Sequence, residues 1–109
     1  MKYIDGFLLV VPTKKLAAYA ALAKKAARVW RQHGALEYRE CTGDDLQKGM
    51  GLPFGKRVGA RKGETVVFAW IVYRSRAHRD RVNKRVMTDK RMLAMCGAPM
   101  PFEDRKSVV

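Results

Sequence analysis

The chain has 109 residues, 48% hydrophobic and 30% charged, which excludes two independent cores and the low-hydrophobicity composition of a disordered chain. Lys and Arg number 23 against 10 Asp and Glu, a net charge of +13, so anionic partners such as RNA, DNA, anionic lipid or acidic metabolites are attracted. Two cysteines, Cys41 and Cys96, and two histidines, His33 and His78, exclude a disulfide framework and match no paired Cys/His spacing for zinc.

Tyr3 to Val11 is rich in β-branched and aromatic residues and ends at Pro12, the pattern of a buried strand closed by proline. Thr13 is placed to cap a helix in which Leu16, Ala20, Ala23, Ala27 and Trp30 recur at helical spacing, up to a C′ glycine at Gly34. Lys24, Arg28 and Arg31 share the opposite, solvated stripe. Ala35 to Cys41 alternates, with Leu36, Tyr38 and Glu40 on one side and Glu37, Arg39 and Cys41 on the other, as a second strand.

Thr42 to Gly63 is glycine-rich and charged without a sustained period, so it reads as a long loop or arm. Glu64 to Tyr73 is apolar on both faces, which predicts a central strand. Ser75 is a good N-cap for a second helix carrying His78, Val82 and Val86 inward and Arg81 and Arg85 outward, ending near Asp89. Lys90 to Cys96 reads as a further helical turn before Gly97 and Pro99. The tail from Phe102 to Val109 has room for only a very short fourth strand.

The apolar runs from Phe7 to Pro12 and from Val66 to Val72 fall well short of the ~20 residues a membrane helix needs. Asp5 and Gly6 interrupt the stretch a signal peptide requires. A cytoplasmic protein with no membrane span is expected.

The run from Trp30 to Cys41, the run from Glu64 to Asp80, the opening Tyr3-Ile4-Asp5-Gly6-Phe7 and the late Met100-Pro101-Phe102 closely resemble the bacterial YbaA-like family. The resemblance covers nearly the whole chain. It implies one α+β domain over residues 1–109, a ferredoxin-like βαββαβ unit whose sheets associate as a homodimer into a dimeric α/β barrel, and it implies no activity. Members of the family run on after the equivalent of Phe102 into an apolar strand, so the fourth strand is expected to be truncated here.

Candidate chemistry is sparse. His33, Glu37 and His78 are polar candidates for a small-molecule pocket, with Trp30 and Trp70 as aromatic walls joined by Tyr38 and Phe68. Each also has a plain structural role: a cation at the end of a helix suits its dipole, as for His33, and aromatic residues fill cores. In an alternating strand Glu37 and Glu40 face opposite ways, which excludes a paired-carboxylate site without a bulge. No cofactor motif and no metal-ligand set is present. Lys56, Arg57, Arg61, Lys62, Arg81 and Arg85 offer the alternative, a surface for RNA or another polyanion without sequence preference, since no base-reading scaffold accompanies them.

Overall fold

The structure, a computed structural model, describes residues 1–47, 49–97, 101–102, 106 and 108–109; Pro99 and Met100, used above as a helix breaker and part of a family motif, lie outside the described residues. It is α+β, with strands β1 (Tyr3–Pro12), β2 (Glu37–Thr42) and β3 (Glu64–Tyr73) and helices α1 (Leu16–Gln32), α2 (Phe54–Arg57), α3 (Arg76–Met87) and α4 (Lys90–Cys96). The sheet order is β1-β3-β2, with both pairings antiparallel. β3 is thus central, as its two apolar faces require. Val108 forms a single antiparallel bridge to Leu8 on the outer edge of β1, which is as far as a fourth strand extends among the described residues.

Register decides the faces. Tyr3 pairs with Tyr73, Phe7 with Ala69, and Glu40 also with Ala69, so odd residues of β1 and β3 share one face with even residues of β2. α1, α3 and α4 cover that face. Tyr19 and Ala23 of α1 pack on Val11 and Val67, while Val29 joins Ile71, Tyr73, Val82, Val86 and Met92. On the opposite face the long loop folds back, so that Val58, Leu46 and Ala60 cover Val10 and Val66. It leaves Ile4 and Phe68 exposed, at 58% and 41%.

The helix ends follow local chemistry. Gly34 has φ +114°; its N–H donates to Arg31 O at 3.1 Å and that of Ala35 to Trp30 O at 3.0 Å, the paired bonds of a Schellman motif. A Cβ on Gly34 would also lie 3.4 Å from His78 Nε2. Gly34→Ala is therefore expected to destabilise by about 1–2 kcal/mol, a fall in Tm of roughly 5–15 °C, measurable by thermal denaturation. Ser75 Oγ accepts from the His78 N–H at 3.1 Å and caps α3. Thr13 does not cap α1. It opens a 3₁₀ turn over Thr13–Lys15, and its hydroxyl bonds instead to that of Thr65 at 2.7 Å, across the β1–β3 ladder.

Candidate functional site

Between the helix-bearing face of the sheet and the helices lies a cleft of about 490 Å³. Its floor comes from the inward residues of the strands, among them Phe7, Tyr38, Ala69 and Ile71; its roof is the side of α1 carrying Ala23, Ala26 and Trp30, with Met92 and Met95 of α4 completing the wall. Alanine stands at positions 23, 26 and 69 of the lining.

Two polar groups meet this apolar space. The first is Glu40, whose Oε2 accepts from Tyr19 OH at 2.7 Å and whose Oε1 accepts from Tyr38 OH at 3.1 Å. Burial raises the Glu40 carboxyl above the usual carboxylate range, outweighing the two hydrogen bonds that favour its ionised form. Burial and the neighbouring carboxylate push both phenols up, so they keep their protons and remain donors. Glu40 also borders a shallower groove of about 330 Å³ between α1 and β2.

The second polar group stands across the sheet. Arg79 Nη1 lies 2.9 Å from Asp5 Oδ1 and its Nε 2.7 Å from Asp80 Oδ1, while its guanidinium carbon sits 5.0 Å from the centre of the Tyr3 ring. Asn83, one turn further along α3, accepts at Oδ1 from Trp30 Nε1 at 3.3 Å and from Tyr73 OH at 3.2 Å. Burial pushes the Tyr73 phenol up to about 12. These bonds tie α1, α3 and β3 together at one end of the cleft.

The carboxyl of Glu40 gives a stability test with a definite sign. Its folded-state pKa lies above the unfolded value, so between the two the native state binds more protons, and stability falls as pH rises through that window. Glu40→Gln removes this dependence while keeping an acceptor for one phenol. The Tm of the variant relative to the parent is expected to climb as pH rises above the ordinary glutamate range, by only on the order of 2 °C, because Glu40 is half-buried and solvent screens part of the penalty. A difference that stays flat across a calorimetric pH series would refute the assignment.

Of the five pocket residues anticipated from sequence, Trp30 lines the cleft, its ring centroid 5.8 Å from that of Tyr38. Trp70 lies on the other face of the sheet, 5.6 Å from Phe68. His33 Nε2 pairs with Asp89 Oδ2 at 2.8 Å, and Glu37 Oε1 accepts from Arg39 Nε at 2.9 Å. His78 is buried, and its Nδ1 accepts from the Arg74 N–H at 2.9 Å. Burial and the charges of Arg74, Arg81 and Arg85 push its pKa down, so it stays neutral. His33 and His78 thus lie at the Gly34 end of the domain, yet neither they nor Glu37 lines the cleft. Asp5, Tyr19, Glu40, Arg79 and Asn83 take the polar positions instead.

The six cations divide into two groups. Lys56 and Arg57 belong to α2, and Arg61 and Lys62 to the loop on the far face, where Asp44, Asp45 and Glu64 border the same depression. Arg81 and Arg85 are exposed on α3, on the helix side. Among the described residues no group of three or more His, Cys, Asp or Glu is placed to hold a metal ion, and no helix is long and apolar enough to cross a membrane.

Compared with known proteins, residues 2–104 match a family described as a protein of unknown function, DUF1428. The chain is 41% identical over 108 residues to the Uncharacterized protein YbaA of Escherichia coli strain K12, a match that covers 99% of this chain and 92% of that protein. The figures are the same for the protein of that name from Shigella flexneri.

Proposed function

The chain belongs to the DUF1428 family of proteins of unknown function, and we propose that it binds a small molecule in the cleft between its sheet and helices. The observation that carries this reading is the cleft itself: about 490 Å³, walled by alanine, aromatic and methionine side chains, with polar groups converging at two places. Ligand sites have this composition and volume. The test is a fragment screen by NMR on the whole protein. Binding should move the Trp30 indole N–H and Ala26 methyl resonances; ligands that bind while leaving both unmoved would place the site elsewhere.

The same reading includes a homodimer. The order β1-β3-β2 with a bridge at Val108 on the edge of β1 supports a ferredoxin-like βαββαβ unit with a reduced fourth strand. The exposed face around Ile4 and Phe68 supports sheet-to-sheet association into a dimeric α/β barrel. Two exposed free thiols, Cys41 and Cys96, accord with a reducing, cytoplasmic setting.

The excess of positive charge favours a second reading, a surface for RNA or another polyanion. Its expected signature is similar affinity for unrelated RNAs at low salt and steep loss as salt rises. The division of the six cations between two sides of the sheet makes it the weaker of the two.

A further inference from the structure

Resting on the small-molecule reading of the cleft, we propose that its occupant is a neutral, flat, largely apolar compound carrying a hydroxyl at one end and a carbonyl oxygen at the other. The hydroxyl donates to Glu40, and the carbonyl accepts from Asn83 and Arg79.

The Glu40 end accepts. Both phenol protons there are committed, that of Tyr19 to Oε2 and that of Tyr38 to Oε1, bonds that favour the ionised carboxylate, and in that form the capacity left over is the second lone pair on each oxygen. An incoming group must bring a proton donor. The Asn83 end donates. Asn83 Oδ1 already accepts twice, leaving its amide N–H groups, and Arg79 uses Nη1 and Nε on Asp5 and Asp80, leaving Nη2 with no partner among the described residues. An incoming group must bring an acceptor.

Charge argues for neutrality at both ends. Asp5 compensates Arg79, so that end offers donors without net attraction for an anion. At the other end Lys24 and Arg39 border Glu40 in the adjoining groove, and the protein's +13 repels cations. The register sets the span. Glu40 pairs with Ala69, Ala69 with Phe7, and Asp5 lies two residues further along β1, which places the Glu40 and Asp5 Cα atoms about 12 Å apart from standard strand spacings. Asp5 holds Arg79 and so marks the donor end of the cleft, with Glu40 at the acceptor end and the apolar lining between them.

The probe is 6-acetyl-2-naphthol, titrated by fluorescence against 2-acetylnaphthalene, which lacks the hydroxyl, 2-naphthol, which lacks the carbonyl, and 6-hydroxy-2-naphthoate, which is anionic. On the wild-type protein the probe is expected to bind about tenfold more tightly than each of the three. Glu40→Leu should remove the advantage of the hydroxyl while sparing 2-acetylnaphthalene, with Glu40→Gln restoring part of it. Asn83→Leu should weaken both ketones and spare 2-naphthol. If a variant does not fold, the wild-type series still decides. Equal affinities across the four compounds overturn the inference and leave the cleft as a site, whereas a preference for the naphthoate overturns the neutral assignment. Failure of all four to bind overturns the inference, and if every other fragment also fails to bind or to move the Trp30 and Ala26 resonances, the small-molecule reading falls as well.

Discussion

Replacing Ala26 with Phe is expected to abolish small-molecule binding in the cleft while leaving the protein folded and raising its Tm. Ala26 is buried in the roof of the cleft and lines it, so a ring built from its Cβ enters the space a ligand would use. Filling a cavity commonly adds about 0.5–2 kcal/mol, equivalent to roughly 2–15 °C for a domain of this size. Binding should weaken by at least about a hundredfold, since a buried ring excludes the ligand instead of trimming one contact. Titration calorimetry and thermal denaturation on the same sample separate the two effects. Unchanged affinity in a folded variant would show that the ligand sits elsewhere, and a fall in Tm would show that α1 cannot shift to accept the ring.

If the proposed sheet-to-sheet dimer forms, Phe68→Asp is expected to convert it to a monomer. Phe68 lies on the sheet face away from α1, α3 and α4, in a stack with Phe54 at 5.9 Å and beside Trp70 at 5.6 Å. It is 41% exposed in the single chain, so the monomer loses only part of its packing. In a two-fold dimer built on this face the substitution is made twice, and each new carboxylate loses water without gaining a partner. The expected shift in the dimer–monomer equilibrium is at least about a hundredfold, read by sedimentation equilibrium. If parent and variant have the same mass across a micromolar concentration series, association does not use this face.

The parts of the fold legible in the sequence are those with local causes. The run from Thr65 to Val72 is largely apolar on both faces because helices cover one face of β3 and the folded-back loop covers part of the other. Ser75 and Gly34 mark helix ends because the bonds they make lie within three or four residues. Thr13 misleads for the opposite reason, since its partner Thr65 is 52 residues away. The same limit hides the ion pair of Asp5 with Arg79, separated by 74 residues, for which no spacing rule exists. Glu40 is a different case. Strand alternation places it beside Leu36 and Tyr38, and a carboxylate on the apolar side of a strand is a visible mark of a buried acceptor. Its relation to Glu37, on the other side, says nothing of that role, and Tyr19, which completes the group, falls outside the expected apolar stripe of α1.

The pairing of β1 with β3 has a consequence for the chain as it is made. Pro12 leaves the ribosome 61 residues ahead of Tyr73, the far end of the partner strand that holds β1 in place. At ordinary translation speeds β1 waits roughly 3–12 s for that partner. During this interval Phe7, Leu8, Leu9, Val10 and Val11 form an unpaired apolar segment with no charged residue among them, the kind of stretch that chaperones hold and that associates with copies of itself. Folding therefore cannot proceed strand by strand from the N-terminus. The β2–β3 hairpin closes a shorter loop than the β1–β3 ladder, so it is expected to form first and β1 to dock afterwards along ten residue pairs, an order that pulse-labelled hydrogen exchange would read directly.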